Sequence, residues 1–256
     1  MDTVGPGRRR SPAPDLEGRR ALAIVPAYNE GQAIARTIRD LKRRAPWTDV
    51  LVVNDGSYDD TGQCARAAGA KVIDLPVNLG IGGAVQTGYR YAHREGYDLA
   101  FQFDGDGQHR ASQLTEIATP ILRGEADLVV GSRFLAGRGM GATGLRLLGI
   151  KIISVAVSII LRQRVTDPTS GFRAAGRRVL ALFAREYPQD YPEPESLVLV
   201  HKHGLKVREV ATTMRRRRAG KSSIATLHGA HYMTKALLAI VMETVKRPVR
   251  YQREDA

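Results

Sequence analysis

The chain has 256 residues, 43% of them hydrophobic and 25% charged, with 39 Lys and Arg against 26 Asp and Glu for a formal net charge of +13. This length and composition suit one sizeable α/β domain with a single core. The lone Cys64 excludes an internal disulfide and the lack of a Cys/His cluster argues against structural zinc, which together fit a reducing compartment.

Residues 1–20 carry Pro, Gly and Arg without an apolar core and read as a disordered, basic lead-in, neither a signal peptide nor a spanning helix. From Ala21 onward, strand-like apolar runs (Ala21–Ala27, Val50–Val53, Lys71–Leu75, Leu99–Phe103, Leu128–Gly131) alternate with helical patterns at Ala33–Arg44, Thr61–Ala68, Gly82–Arg94 and Gln113–Leu122. The succession predicts a mostly parallel sheet covered on both faces, with right-handed crossovers. In such sheets the strand-to-helix turns share one edge, where ligands bind. Pro26-Ala27-Tyr28-Asn29-Glu30, Asn54-Asp55-Gly56-Ser57 and Asp104-Gly105-Asp106 are therefore expected to converge.

Asp104-Gly105-Asp106-Gly107-Gln108 puts two carboxylates and an amide oxygen on a flexible turn, a donor set for a hard cation such as Mg²⁺ or Mn²⁺ holding a diphosphate. It is not a calcium loop, because His109 stands where the sharp turn needs Gly and Thr115 where a bidentate Glu should close the cage. Two phosphate-cradling motifs are incomplete. Val85 replaces the third glycine after Gly80-Ile81-Gly82, and Arg215 replaces the first glycine of a P-loop ending Gly220-Lys221-Ser222. The glycines from Gly80 to Gly88 then serve either close backbone packing or ligand approach, or flexibility at a helix start.

Between Arg146 and Arg162 the only polar residues are Lys151, Ser154 and Ser158, which fall with Arg162 on one stripe. A helix of about 15 residues is ~22 Å long, short of the roughly 30 Å hydrocarbon core. It lies either in a membrane interface or in the protein core. Tyr232 to Val245 forms a second amphipathic segment, interrupted by Lys235 and Glu243 and also too short to cross. From His201 to Lys221, eight Lys or Arg face Glu209 alone, a segment suited to phosphates or lipid headgroups. Nucleic acid is not expected, since neither interleaved aromatics nor a recognisable module accompanies the charge.

With Asn78-Leu79-Gly80, Gly131-Ser132-Arg133 and Asp167-Pro168-Thr169-Ser170-Gly171-Phe172-Arg173 added, the motifs from about Ala21 to Ile224 resemble, in order and number, family 2 glycosyltransferases of the GT-A fold. Within these the chain is similar to the polyprenyl-phosphate sugar synthases, the dolichyl-phosphate mannose synthase-like group. The resemblance implies a Rossmann-like α/β domain over residues 21–224, followed by a C-terminal amphipathic helix and tail over 225–256. It implies a nucleotide pocket lined by Pro26, Tyr28, Glu30 and Asp55, with Asp55 accepting a base N–H and Asp104 near the diphosphate. Asp106 and Gln108 would hold the metal, joined by Asp104. Read without the resemblance, Tyr28 and Glu30 could equally fold over or cap the first helix. Two positions depart from the subgroup: Asn54 stands where Asp is frequent, and Ser223 where the mannose synthases tend to carry Lys, which leaves the sugar and the UDP or GDP carrier open.

The expected activity is inverting, metal-dependent transfer of a hexosyl or N-acetylhexosaminyl group from a nucleoside diphosphate sugar to a polyprenyl phosphate. The expected location is peripheral, on the anionic cytoplasmic face of a membrane, in the making of cell envelope glycan. Asp104, Asp106 and Arg133 carry catalysis in this reading, with Arg133 and Arg146 on the acceptor phosphate and Arg217 and Lys221 on donor or acceptor phosphates. A phosphate acceptor is already anionic at neutral pH, its second pKa being about 6, so it needs no general base. Hence His109→Ala is expected to keep substantial turnover and Arg133→Ala to lose it. Ile153 and Val157 are expected to face lipid. A same-fold enzyme acting on a carbohydrate hydroxyl would need His109, Asp167 or Glu195 as base. A non-catalytic nucleotide-sugar-binding recruitment protein would need neither base nor intact metal ligands.

Overall fold

A computed structural model describes residues 14–135, 144–215 and 229–246. The expected alternation is present as β1 (Ala21–Ala27), α1 (Gly31–Arg44), β2 (Asp49–Asn54), α2 (Thr61–Ala67), β3 (Lys71–Asp74), α3 (Gly80–Arg94), β4 (Leu99–Gln102), α4 (Leu114–Leu122) and β5 (Leu128–Ser132). Then follow α5 (Gly144–Leu161), β6 (Arg173–Gly176), α6 (Arg177–Arg185), α7 (Pro192–Lys202), β7 (Val207–Ala211) and α8 (Gly229–Val245). The strands form one sheet in the order β3-β2-β1-β4-β6-β5-β7, parallel except for β6, which runs antiparallel to both β4 and β5.

Every residue of β1 is buried, as a strand covered on both faces requires. Its period-two alternation feeds two cores. Leu22 and Ile24 join Tyr89, Phe183, Leu197 and Val200 on one face. Ala23 and Val25 join Ile34, Ile38, Phe101 and Ile117 on the other. The run of Lys42, Arg43 and Arg44 ends α1, where cations complement the carbonyl end of the helix dipole.

β6 is the element that sequence periodicity did not reveal. Its four residues, Arg-Ala-Ala-Gly, contain no large apolar side chain, yet all are buried. Antiparallel pairing sets Arg173 opposite Gln102 and brings the preceding Gly171 to the carboxyl end of β4. A Cβ on Gly171 would lie 3.3 Å from an Asp104 carboxylate oxygen, so the turn before β6 packs against the acidic turn after β4.

Helix α5 has 18 residues, about 27 Å at 1.5 Å per residue, and among the described residues no helix is long and apolar enough to cross a membrane. It is core on one side and exposed on the other. Ile153 and Val157 are 1% and 0% exposed, whereas Val155 and Ile159 on the opposite side are 59% and 72% exposed. The expectation that Ile153 and Val157 face lipid is therefore overturned; Leu148, Ile152, Val155 and Ile159 form the outer apolar stripe. The supposed polar face is also partly internal, since the Ser158 hydroxyl accepts from the Val165 amide at 2.9 Å and Ser154 donates to the Val165 carbonyl.

The last helix belongs to the same core. Ile240 is fully buried in it, and Leu237 packs on its edge. Glu243 is itself buried and accepts from Lys202 at 3.1 Å and Lys246 at 3.1 Å, fastening α8 to the end of α7. Leu238, Val241, Met242 and Val245 remain exposed. The side chains of Tyr232, Met233 and Ala236 lie outside the described residues.

Candidate active site

The carboxyl ends of β1, β2 and β4 meet as their positions in the sheet require. The Asp55 amide donates to the Ala27 carbonyl at 2.9 Å, the Asn29 amide to Ser57 Oγ at 3.0 Å, and the Tyr58 amide to Asn29 Oδ1 at 2.9 Å. These bonds stitch the first two turns together, with Asn29 in the left-handed region at φ 53°. Gly56, at φ +66°, admits the segment before α3: a Cβ there would stand 2.7 Å from the Asn78 amide nitrogen, so no larger residue fits. The Leu79 amide then donates to Asp55 Oδ1 at 2.7 Å. On the other side, Thr37 of α1 donates to the Gly105 carbonyl at 2.9 Å, holding the acidic turn against α1.

The nucleotide-pocket candidates thus share one edge. Tyr28 is exposed and stands edge-on to Tyr58, with ring centroids 6.2 Å apart. Glu30 occupies the N-cap position of α1 without a side-chain capping bond; its amide donates to Thr61 Oγ1. Asn54 donates to Asp74 at 2.8 Å, a contact that an Asp in its place would turn into repulsion. Gly82 answers the question left by the glycine run: a Cβ there would lie 2.5 Å from the Gln189 backbone, so close packing accounts for it.

The acidic turn is rigidly seated. Asp106 Oδ1 accepts from the Gln108 amide at 2.9 Å, and the Gln108 carbonyl accepts from the Arg215 amide at 2.8 Å. His109 lies beneath the turn, between Phe103 and Phe172, with ring centroids at 5.4 and 4.8 Å. Its Nδ1 accepts from the Asp104 amide at 3.0 Å, which assigns the proton to Nε2, 3.3 Å from Asp104 Oδ2. Burial lowers its pKa to about 4, with Asp106 acting in the opposite direction, so the ring is neutral at pH 7. His109→Ala is expected to cost about 2–4 kcal/mol by emptying this slot and releasing the Asp104 amide, as urea unfolding would measure.

Among the described residues no three His, Cys, Asp or Glu side chains enclose a metal site. Asp104, Asp106 and Gln108 therefore present a partial, all-oxygen set. Such a set fits a small hard cation whose remaining positions are filled by water and substrate phosphates.

Arg133 follows β5 and faces the same turn. Its Nε and Nη2 donate to the two carboxylate oxygens of Asp167 at 2.6 and 2.7 Å, its amide to Asp167 at 3.0 Å, and Nη2 to Thr169 at 2.9 Å. Burial opposes the charge, but the Asp167 bonds and the nearby Asp104 and Glu193 carboxylates raise its pKa. Asp167 is held in turn by Glu209 of β7, which accepts from the Asp167 amide at 2.7 Å and the Thr166 amide at 2.8 Å. The fully buried Arg173 closes the arrangement, donating to the Ser170 carbonyl at 2.8 Å, Ser196 Oγ at 2.6 Å and the Glu193 carbonyl at 2.6 Å.

Sequence reasoning missed this second layer: Asp167 as the partner of Arg133, Glu209 behind it, and Arg173 tying the turn to α7. The motif Asp167 to Arg173 was the available signal, but its pairing depends on β6 lying between β4 and β5. The three groups available as a general base are all enclosed, with His109 1%, Asp167 0% and Glu195 7% exposed. Glu195 accepts from the Tyr191 amide at 3.1 Å. The basic segment is also less free than its charge implies: Lys202, Arg208 and Arg215 pair with Glu243, Glu125 and Asp40. Arg217, Lys221 and Ser223 lie outside the described residues, as does the side chain of Arg146, which falls on the first turn of α5.

Comparison with known proteins identifies what shares this arrangement. The family model for glycosyl transferase family 2 matches residues 22–183. Undecaprenyl-phosphate mannosyltransferase of Micrococcus luteus is 37% identical over 164 residues, covering 60% of this chain and 65% of that protein. The UDP-N-acetylglucosamine–dolichyl-phosphate N-acetylglucosaminyltransferase of Methanococcus voltae is 28% identical over 207 residues, covering 73% of this chain and 82% of that one. Among solved structures, glucosyl-3-phosphoglycerate synthase from Mycobacterium tuberculosis, in complex with Mn²⁺, uridine diphosphate and glucosyl-3-phosphoglycerate, aligns with a TM-score of 0.69 at 19% identity, covering 95% of this chain and 86% of that one. The last likeness is one of fold, the GT-A arrangement of a mostly parallel sheet between helices. The family match extends from β1 through the acidic turn, Arg133 and β6 into α6, and on that ground the chain belongs to glycosyl transferase family 2 and is a glycosyltransferase.

Proposed function

We propose that the enzyme transfers a sugar from a UDP- or GDP-linked donor to a polyprenyl phosphate at a membrane surface, with inversion at the anomeric carbon. The observation that carries this reading is the pairing of Arg133 with buried Asp167 beside Asp104, in a site whose three potential bases are all enclosed. A hydroxyl acceptor needs a proton acceptor within reach, whereas a phosphate monoester brings its own anionic oxygen and needs a fixed cation to place it. Two relatives, named above, act on undecaprenyl phosphate and dolichyl phosphate, which supports the same acceptor class here.

Asp104, Asp106 and Gln108 would hold Mg²⁺ or Mn²⁺, which when bound neutralises charge on the departing diphosphate. Pro26, Tyr28, Glu30 and Asp55 would bound the nucleotide. The Leu79 amide orients the Asp55 carboxylate through one oxygen, leaving the other edge for a base N–H. Arg133 would use Nη1 on the acceptor phosphate, because its other edge is taken by Asp167 and Thr169. A transfer panel of radiolabelled UDP- and GDP-sugars tests the reading, with one polyprenyl phosphate set against its polyprenol. Label passing to the alcohol in preference to the phosphate would favour a hydroxyl-directed enzyme.

The outer apolar stripes of α5 and α8 support peripheral docking, since the two helices pack together and both leave large apolar side chains exposed. Val155→Asp with Ile159→Asp is expected to release the protein from vesicles at little cost in stability, as both positions face outward. Ile153→Asp with Val157→Asp is expected to unfold it, because both carboxylates would enter the core. Vesicle flotation and thermal unfolding of the two pairs check this together.

A further inference from the structure

Helix α7 opens with Pro192-Glu193-Pro194-Glu195, so two acids fall in its first turn. Residues two apart on a helix point about 200° away from each other, and the two carboxyls have separate surroundings. Glu195 accepts from the Tyr191 amide at 3.1 Å and feels the charges of Glu243 and Lys246, on the α8 side. It supplies what a helix start needs, a partner for a free amide and an anion at the positive end of the dipole. Glu193 faces the acidic turn instead. Burial raises its pKa, Arg173 opposes the rise, and Asp104 and Arg133 act on it in opposite directions.

Helix capping therefore does not require Glu193, and among the described residues no Lys or Arg stands within salt-bridge distance of its carboxyl. Its position is nevertheless firmly held. The Glu193 carbonyl accepts from the fully buried Arg173 at 2.6 Å and from Ser196 at 3.1 Å, and the rings of Pro192 and Pro194 fix the backbone on either side. The neighbouring wall is polar. Tyr89 and Tyr187 both feel the Glu193 charge, and the Tyr187 hydroxyl donates to Gln102 at 3.4 Å. Gln102 Nε2 and the Tyr89 hydroxyl are buried and have no hydrogen-bond partner among the described residues. Gly171 borders the same place, since a Cβ on it would lie 3.2 Å from Gln102 Nε2 and 3.3 Å from Asp104.

We propose that Glu193 binds the transferred sugar, its carboxylate accepting hydrogen bonds from hydroxyl groups of the hexosyl ring, and so helps to decide which donor the enzyme takes. The inference rests on the transfer reaction proposed above and adds a residue that touches the sugar itself. In that reaction the ring passes from a diphosphate at the acidic turn to a phosphate at Arg133, and Glu193 lies within electrostatic reach of both Asp104 and Arg133. A carboxylate offers two acceptor oxygens, which match a pair of neighbouring ring hydroxyls.

Calorimetric titration of the full-length protein, with Mn²⁺ and without acceptor, tests this. UDP-glucose, UDP-N-acetylglucosamine and GDP-mannose are each compared with their own nucleoside diphosphate, followed by the monodeoxy forms of the donor that gains most from its sugar. Glu193→Ala is expected to weaken that donor about 10- to 100-fold, with the bare diphosphate bound as before and Glu193→Gln intermediate. At least one monodeoxy donor should bind the parent and Glu193→Ala alike, because the bond it lacks is the one the variant has lost. Both variants should keep or raise the melting temperature, since each removes a carboxylate that Asp104 repels. Losses that simply add for every monodeoxy donor, an equal weakening of the bare diphosphate, or a parent that gains nothing from any of the three sugars would overturn the sugar contact. So would a dependence on Glu193 confined to transfer to polyprenol with donor binding unchanged, which would make the carboxyl a proton acceptor. Coupling to a monodeoxy donor together with label passing to polyprenol would refute the phosphate acceptor alone and uphold the sugar contact.

Discussion

Asp106→Ala is expected to lower sugar transfer on the order of 10³-fold while the unfolding transition stays within about 1 kcal/mol of the parent. The Asp106 carboxylate accepts locally from the Gln108 amide, while Thr37, His109 and Arg215 hold the turn from other directions. Transfer suffers because the acidic turn has few oxygens to offer. With two carboxylates and one amide, removing a charged donor leaves diphosphate charge poorly neutralised as the glycosidic bond breaks. Chelation should reproduce the loss in the parent and add nothing to the variant. Calorimetric titration with Mn²⁺ and a nucleoside diphosphate gives an independent readout, with binding weakened in Asp106→Ala. Full transfer in metal-free buffer would refute the role given to this turn.

Arg133 presents a harder experiment, because its removal strands a carboxylate. Arg133→Ala leaves Asp167 buried and unpaired, which is expected to cost about 3–5 kcal/mol, so lost activity would not by itself identify a role in positioning the acceptor. Arg133→Lys keeps the charge but cannot reproduce the two-point contact with Asp167. It is expected to lower turnover about 10²-fold and raise the acceptor KM, with donor hydrolysis unaffected. Arg133→Gln combined with Asp167→Asn removes both charges, and should recover most of the stability without recovering transfer. Stability from urea unfolding and initial rates at saturating donor separate the two effects. An active double variant would show that the pair is architectural only, and an equal fall in donor hydrolysis would move Arg133 to the donor side.

Legibility in the sequence followed physical contrast. β1 and β2 announce themselves as unbroken apolar runs because both their faces are covered, and the turns after them stand out as clusters of Asp, Asn, Gly and Ser. Asp104, Asp106 and Asp55 could thus be placed on one sheet edge before any coordinates. β6 gave no such signal: its small residues suit a crowded central position, and its buried Arg173 looks like a strand breaker when read alone. Without β6 in its slot, Asp167 could not be matched to Arg133, and it was read as a possible base. The two faces of α5 were illegible for the opposite reason. A helix apolar on nearly every side carries little periodicity, so only packing distinguishes Ile153 from Val155. Its serines looked like a wet face but serve the segment that returns alongside the helix.

The antiparallel slot of β6 also governs the order in which a growing chain can become competent. β4 and β5 are close in sequence yet never touch as neighbours, since the strand between them is made more than forty residues after β5. A nascent chain ending before Arg173 has its acidic turn and Arg133 on two halves of a sheet with nothing joining them. Glu209, which steadies the Asp167 turn, arrives later still with β7. The β1, β2 and β3 edge, proposed to take the nucleotide, can form early from local pairings, whereas the Arg133 side, proposed to take the acceptor, waits for long-range closure. On the proposed roles, donor binding and transfer competence would be acquired at different chain lengths during synthesis.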